Sequence, residues 1–267
     1  MKKFELTSEF ITNIFGTKLF RIKALIEFGN VKAGELGGFV EKEENLNHEG
    51  NAWVYGNAEV YGNARVYGNA SVCDDARVYG NASVYGNARV CDDAWVYGNA
   101  EVYGNARVYG NASVCDDARV YGNASVYGNA WVYGNARVCD DARVYGNASV
   151  YGNARVCGDA RVYGNARVYG NASVYGNARV CGDARVCGDA RVYGNADYAT
   201  VHGFGSEYRT TTFFKTKAGE IGVRCGCFYG NLSEFRKKVV ETHGETKKAK
   251  EYLMLADLME FRFSDNS

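Results

Sequence analysis

Apolar and polar positions repeat along residues 52–197 with a period of six. Alanine recurs from Ala52 to Ala196 and valine from Val54 to Val192, so the repeated unit is A-x-V-Y-G-N. Because successive side chains of a strand point to opposite faces, Ala and Val share one face while x and Tyr share the other. Each unit ends on Gly-Asn, Gly-Asp or Asp-Asp, which tolerate the positive φ of a tight corner. The pattern predicts 24 short strands around an Ala and Val core.

A six-residue period fits neither an amphipathic helix nor a hairpin meander. Three hexads per turn instead give a triangular coil of 18 residues. The hexads then make about eight coils, and the stack is about 38 Å high because adjacent strands lie about 4.8 Å apart. We therefore predict an all-β solenoid in which residues 52–197 form the repeat.

The flanks of the repeat have a different character. A solenoid exposes unpaired strand edges at both ends, so we expect residues 1–51 to form an N-terminal cap and residues 198–267 to cover the other end. In the C-terminal segment, TTTFFKTK and IGVRCGCFYG surround Ala-Gly and predict a β-hairpin. Two helical patterns follow, the first with a cap at Asn231 or Ser233 and a stop at Gly244. The sequence predicts a small α+β module after the solenoid.

The repeat resembles a known family. The unit V-Y-G-N-A-x is similar to the hexapeptide repeat of left-handed parallel β-helices, in which an aliphatic residue is followed four positions later by a small one. That resemblance implies a left-handed coil. The flanks resemble those of bacterial and bacteriophage hexapeptide-repeat proteins, some of which are labelled acyltransferases or polymer-forming proteins; the segments concerned are LFRIKALIEFGNVKAGELGGFVEKEENLNHEGNAWVYGNA and TTTFFKTKAGEIGVRCGCFYGNLSEFRKKVVETHG. This resemblance of the flanks implies a phage or mobile-element origin.

Charge and hydropathy narrow the classes of partner. The chain has 31 basic and 31 acidic residues, a balance that disfavours nucleic acid as a partner. It has no apolar run long enough for a membrane span, and Glu5 and Glu9 interrupt the start where a signal peptide needs an apolar core. We expect a cytoplasmic protein without a membrane partner.

Seven of the nine cysteines occupy the Tyr position of the hexad, and each is followed two residues later by Asp in place of Asn. Because their spacing follows the repeat, we expect reduced thiols. Cysteines 18 residues apart should lie on adjacent coils. The seven are Cys73, Cys91, Cys115, Cys139, Cys157, Cys181 and Cys187.

Candidate catalytic groups are few. The resemblance to hexapeptide acyltransferases implies a catalytic histidine on a coil wall or an inserted loop, but here the 24 hexads contain no histidine and no insertion. His48 and His202, just outside the hexads, are the only candidate bases. We therefore predict a non-enzymatic protein without a cofactor, and an acyltransferase acting at a subunit interface is the alternative.

Metal binding has two weak candidates. Four corner carboxylates stack closely enough to hold a hard cation, although aspartate also suits an exposed turn without one; they are Asp74, Asp75, Asp92 and Asp93. Cys225, Cys227 and His243 lack both a fourth ligand and the usual C-x₂-C spacing of a zinc site. We expect no bound metal.

The outward positions carry the functional prediction. They hold 17 Tyr beside 13 Arg, six Ser, three Trp, two Glu and one Asp, and Tyr, Trp and Arg are the residues most enriched in binding hot spots. Residues 53–88 recur unchanged at 95–130, an offset of seven hexads that moves the pattern to another wall. The same side chains could alternatively serve only to stabilise the walls. The candidate binding surface consists of Tyr103, Tyr121, Arg119, Arg137, Trp53, Trp95 and Trp131.

We interpret the chain as a scaffold or interaction protein that binds a protein partner through these walls. A host protein or a component of a defence system is the kind of partner that a phage origin would imply. Flat tyrosine-bearing walls also favour a homo-oligomer, either a trimer or a dimer.

Overall fold

The chain begins with three long strands. A computed structural model describes residues 1–205 and 209–264. Strands β1 (Phe4–Thr12), β2 (Lys18–Ala24) and β3 (Leu36–Val40) form an antiparallel meander. A 3₁₀ turn at Glu43–Asn45 leads from β3 into the repeat.

The hexads form a β-solenoid with three flat walls, which confirms the predicted fold. Each hexad contributes one strand, made of x and Val, and pairs in parallel with the strand 18 residues further along. Wall 1 contains β4 (Trp53–Val54), β7 (Ser71–Val72), β10 (Arg89–Val90), β13 (Arg107–Val108), β16 (Ser125–Val126), β19 (Arg143–Val144), β22 (Arg161–Val162) and β25 (Arg179–Val180).

The other two walls have the same construction. Wall 2 contains β5 (Glu59–Val60), β8 (Arg77–Val78), β11 (Trp95–Val96), β14 (Ser113–Val114), β17 (Trp131–Val132), β20 (Ser149–Val150), β23 (Arg167–Val168) and β26 (Arg185–Val186). Wall 3 contains β6 (Arg65–Val66), β9 (Ser83–Val84), β12 (Glu101–Val102), β15 (Arg119–Val120), β18 (Arg137–Val138), β21 (Arg155–Val156), β24 (Ser173–Val174) and β27 (Arg191–Val192).

The interior consists of valine stacked on valine and alanine on alanine. Every Val and Ala of the repeat, from Ala52 to Val192, is at most 1% exposed. Burial of one Val contributes roughly 1.5 to 3 kcal/mol as an upper bound, so the two inward positions of each hexad supply the stability of the coil. Because both inward positions are buried, the residues of the hexad that can contact another molecule are the outward ones and the corners.

The corners are stabilised by ladders of asparagine. Within each ladder an Asn donates from Nδ2 to Oδ1 of the residue one turn later, as in Asn105 to Asn123 at 3.0 Å. All five ladders formed by the described residues end on an aspartate, which can accept a hydrogen bond but cannot donate one. The terminal acceptors are Asp75, Asp117, Asp141, Asp183 and Asp189.

Four aspartates occupy the positive-φ corner position that is otherwise glycine. Asp74, Asp92, Asp116 and Asp140 have φ between 58° and 61°, a region in which Asn and Asp are the least strained residues with a Cβ. Each carboxylate accepts a backbone N–H from the next turn, as Asp92 Oδ2 does from Gly110 at 2.8 Å. This hydrogen bond offsets part of the conformational strain.

The N-terminal segment adds one turn to the first end of the solenoid. Strand β3 pairs in parallel with β5, and Leu46 bridges to Val66, so the eight turns of hexads become about nine. The buried Lys3 ammonium lies beside the segment that leads into β4, where Nζ donates to Ala52 O at 2.9 Å and to Gly50 O at 3.3 Å. Burial lowers the pKa of Lys3 to about 8.

The C-terminal segment forms a small module of one sheet and two helices, in agreement with the predicted hairpin and two helices. Its strands are β28 (Tyr198–Val201), β29 (Thr211–Lys215), β30 (Ile221–Cys225) and β31 (Phe228–Asn231), and they form one antiparallel sheet. Helix α1 (Leu232–His243) begins at the Asn231 cap and ends before Gly244, and α2 (Lys247–Phe263) packs on it.

Two neighbouring phenylalanines of β29 join the end module to the solenoid. The fully buried Phe214 side chain belongs to the solenoid core, whereas Phe213 belongs to the core of the module. Thr212 Oγ1 accepts the backbone N–H of Arg185, which lies on the last strand of wall 2.

No helix in the described part of the chain is both long and apolar enough to cross a membrane.

We predict that removal of residues 198–267 causes aggregation or filament growth. The deletion uncovers the edges of β25, β26 and β27, whose backbone groups would then pair with other chains. Light scattering and size-exclusion chromatography measure the outcome against the full chain. A truncated chain that remains monodisperse, with the size expected from its shorter length, contradicts the capping role.

We also predict that Lys3 makes stability increase with pH above 8. Between the folded pKa of about 8 and the ordinary value of 10.5, the folded state binds fewer protons at Lys3 than the unfolded state does. The free energy of unfolding should therefore rise by roughly 1 to 2 kcal/mol from pH 8 to pH 9.5.

Urea unfolding of the natural chain and of Lys3→Met measures this dependence. The variant lacks the titrating ammonium but keeps the other groups, so its curve should lack this increase. The range stops at pH 9.5 because tyrosines with raised pKa values, such as Tyr61 at about 12, reverse the slope above pH 10. Parallel pH profiles for the two chains would show that Lys3 titrates normally.

Candidate binding surface

Tyrosines stack in columns along the outside of all three walls. The rings of Tyr67, Tyr85, Tyr103 and Tyr121 lie 4.8 to 5.0 Å apart and within 5° of parallel. This spacing equals the distance between adjacent strands, so the solenoid sets the stacking. Because each ring covers its neighbours, the columns are half-buried and present ring edges and hydroxyl groups to the surroundings.

Four residues of the predicted binding surface lie together on wall 3. Tyr103 and Tyr121 stack with centroids 5.0 Å apart, and Arg119 and Arg137 occupy facing positions on the adjacent strands β15 and β18. Arg119 is exposed, with its Nη2 3.4 Å from Oε1 of Glu101. Burial raises the pKa of Tyr103 above its ordinary value, and the protonated hydroxyl can donate a hydrogen bond.

The arginines form ladders of like charge. On wall 3, Arg119 pairs in register with Arg137, and Arg137 with Arg155. Wall 1 contains a second ladder of three adjacent strands, at Arg143, Arg161 and Arg179. Like charges at facing positions destabilise a sheet, so these ladders oppose folding of the isolated wall.

The three tryptophans do not lie on one surface. Trp53 is fully buried at the N-terminal end, where the rings of Phe28 and Phe4 contact it at 5.4 and 6.2 Å. The prediction that Trp53 belongs to the binding surface is therefore wrong, because the N-terminal segment folds over its wall.

Trp95 and Trp131 both project from wall 2. The Arg77 guanidinium lies 5.2 Å from the Trp95 ring, and the Trp131 side chain is 47% exposed. Trp53 and Trp95, which correspond in the duplicated segment, lie on different walls, as the seven-hexad offset predicts. Wall 2 thus differs from the other two by its pair of outward indoles, of which Trp131 is exposed and Trp95 is half-buried.

Cysteines 18 residues apart lie on adjacent turns, as predicted. Cys73 and Cys91 have Cα atoms 4.6 Å apart and form a disulfide, and so do Cys139 and Cys157. The expectation of reduced thiols is wrong for these four residues, because the spacing of adjacent turns brings the two sulfurs within bonding distance. Both disulfides link one turn to the next.

The four aspartates considered for a cation surround the first disulfide. Asp74 Oδ2 lies 3.4 Å from the backbone N–H of Asp92, Asp92 accepts from Gly110, and Asp75 accepts from Asn57 at 3.2 Å. These hydrogen bonds give three of the carboxylates a structural role.

The ligand atoms of Cys73, Asp74 and Cys91 lie within 4.8 Å of one another, as do those of Cys139, Asp140 and Cys157. Because the sulfurs in a disulfide are no longer thiolate ligands, each of these groups of three residues could provide a cation with only its carboxylate.

The candidate bases lie at opposite ends of the solenoid. His48 Nδ1 accepts the backbone N–H of Lys3 at 3.2 Å, its Nε2 lies 3.5 Å from Glu43, and its ring stacks on Phe4 at 4.4 Å. His202 is exposed beside Thr210, with Nδ1 and Oγ1 3.1 Å apart. The contacts of His48 are those of a residue that anchors the N-terminal segment.

The sulfurs of the end module have separate surroundings. Cys225 Sγ accepts from Thr211 Oγ1 at 3.2 Å, whereas Cys227 is exposed. The His243 ring packs beside that of Tyr252 at 5.8 Å. Within residues 1–205 and 209–264, these three side chains do not form one of the metal-compatible clusters.

The chain is similar to a known repeat family over most of the solenoid. A family model described as the YdcK β-solenoid repeat matches nine segments, which are residues 58–74, 82–98, 100–116, 114–134, 136–152, 154–170, 160–176, 172–188 and 184–196. No curated protein matches the chain significantly. The matched segments coincide with the hexads that build the three walls. Together, this match and the parallel sheets identify the chain as a repeat β-solenoid protein.

Proposed function

We propose that this β-solenoid is a non-enzymatic interaction protein that holds a protein partner against its tyrosine and arginine surface. The observation that carries the proposal is the in-register ladder Arg119, Arg137 and Arg155 on wall 3. Six hexads have Ser at the same position, so the fold does not require arginine there. An acidic partner surface would relieve the repulsion within the ladder.

The tyrosine column beside the ladder supplies the rest of the surface. Its stacked rings are held rigid by the solenoid, so little side-chain entropy is lost when a partner binds. Ring edges, hydroxyl groups and guanidinium groups alternate over several turns, which is the composition of protein-binding hot spots. We propose that a partner lies along wall 3 and contacts Tyr103, Tyr121, Arg119 and Arg137.

The proposal includes the arrangement and setting of the chain. The segments 1–51 and 198–267 act as caps on the 52–197 repeat. The flanks similar to those of phage hexapeptide proteins support a role in the cytoplasm of a host cell, with a host or defence protein as the partner. The two disulfides are the observation against a cytoplasmic setting, because glutathione keeps most cytosolic cysteines reduced.

We predict that replacing Tyr103, Tyr121, Arg119 and Arg137 with Ser weakens partner binding stepwise, by about tenfold for each pair of substitutions. The partner is first captured with the immobilised full chain and identified. Its affinity for each purified variant is then measured by calorimetry, with circular dichroism as the check that the solenoid remains folded.

A matched control uses the same residue types on wall 1, namely Tyr127, Tyr145, Arg143 and Arg161. These four Ser substitutions should leave the affinity within about twofold, since they lie one wall away. A second control replaces His48 and His202 with Ala and should also bind normally. Loss of binding on wall 1 but not wall 3 would contradict the assigned surface. Acyl transfer that the histidine variant loses would favour the alternative enzyme.

We further predict that the chain self-associates through its flat walls into a dimer or trimer at micromolar concentration. Sedimentation equilibrium gives the mass directly, for comparison with the 29.3 kDa of one chain. A single species of that mass at high micromolar concentration would remove self-association from the proposal.

A further inference from the structure

Each cysteine at a Tyr position leaves a gap in a tyrosine column. Four of the seven are paired, so that disulfides occupy two double gaps. Two others lie beside the end module, which supplies a tyrosine to each. The Tyr198 hydroxyl is 3.8 Å from Cys181 Sγ, and the Tyr229 side chain lies over Gly188, next to Cys187. The remaining gap, at Cys115, lies in the middle of wall 2.

The gap at Cys115 has the thickness of one aromatic ring. Tyr97 stacks on Tyr79 at 5.0 Å, and Tyr133 stacks on Tyr151 at 4.8 Å, so both rings keep the orientation of a continuous column. Two turns separate Tyr97 from Tyr133, which places their rings about 9.8 Å apart. A ring inserted midway would lie about 4.9 Å from both, at the spacing of the intact columns.

The surroundings of this gap form an open groove rather than a packed surface. The groove has a volume of about 800 Å³, and its lining includes Tyr97, Cys115, Asp116, Trp131, Tyr133 and Arg167. The Trp131 ring meets Tyr133 edge-on at 6.5 Å, and its side chain is half exposed. Three aromatic side chains therefore surround the space, and Cys115 lies buried at its base, within hydrogen-bonding reach of the Tyr97 hydroxyl.

We propose that the space between Tyr97 and Tyr133 is a slot for a tyrosine side chain of the partner protein. This proposal rests on the proposed function only in that it needs a protein partner, and it adds a separate contact on wall 2 to the surface proposed on wall 3. The chain itself indicates the occupant: a tyrosine of another segment reaches each of the gaps at Cys181 and Cys187, with the Tyr198 hydroxyl at Cys181 Sγ and the Tyr229 side chain over Gly188. The Cys115 gap has the same origin and offers two ring faces.

A tyrosine suits the slot better than an aliphatic side chain. Stacking on two parallel faces adds to the area buried, because offset aromatic pairs are favoured beyond hydrophobic contact. The carboxylate of Asp116 and the guanidinium of Arg167 border the same groove, where polar groups of the partner would find hydrogen-bonding partners.

The test uses the full chain and N-acetyl-L-tyrosinamide as the probe, with binding measured by saturation-transfer NMR and titration. Cys115→Tyr fills the slot with the residue that 17 other hexads carry, so it should fold and should weaken probe binding at least about tenfold. Cys115→Ser keeps the slot open and should bind the probe within about twofold of the natural chain. The Tyr variant should also melt at a higher temperature, since it completes the column.

Three results would overturn the slot. They are equal binding of the probe by Cys115→Tyr and the natural chain, no binding by the natural chain, and tighter binding of adenosine, which would assign the space to a nucleobase. The proposed function fails separately. If the wall 3 substitutions weaken binding of the partner and the tyrosine probe does not bind, only the slot is wrong. If the probe binds the slot while wall 3 substitutions leave partner affinity unchanged, the slot stands and the wall 3 surface is wrong.

Discussion

Backbone pairing between residues 18 positions apart is the interaction on which the rest of this structure depends. It places each strand directly above the strand of the previous turn, so like residues stack on like along every column. The interior then needs only Val and Ala, and the corners become asparagine ladders. On the outside, the same pairing fixes tyrosine rings at 4.8 to 5.0 Å. One distance thus determines the core, the corners and the surface.

The solenoid could be predicted from the sequence because each position of the hexad has a local reason for its identity. Ala and Val are inward, Tyr is outward, and Gly or Asp takes the corner with positive φ. The end module was equally accessible, since the Asn231 cap and Gly244 stop are local signals. Local signals do not place Val240, an apolar residue of α1 that is 52% exposed because α2 packs on the neighbouring face, with Phe235 and Val239.

What the sequence did not show depends on contacts between distant segments. Trp53 occupies an outward position of its hexad, and it is buried because Phe4 and Phe28 of the N-terminal segment pack against its ring. The extra turn likewise needs β3, which has no hexad pattern, to align with β5. The single-ring gap at Cys115 required knowledge of which cysteines are paired and which meet the end module.

The uniform valine interior has a consequence for how the chain reaches its native state. A slip of one full turn would again place valine on valine, so the core alone distinguishes poorly between the native alignment and its neighbours. The native alignment must therefore be favoured by features that do not repeat in every turn. These include the disulfides Cys73–Cys91 and Cys139–Cys157 and the buried aromatic residues Trp53 and Phe214 at the two ends of the core. The residues that interrupt the repeat therefore favour the native register of the coils during folding. A chain in which every hexad is restored to A-x-V-Y-G-N would be the one most prone to misaligned coils.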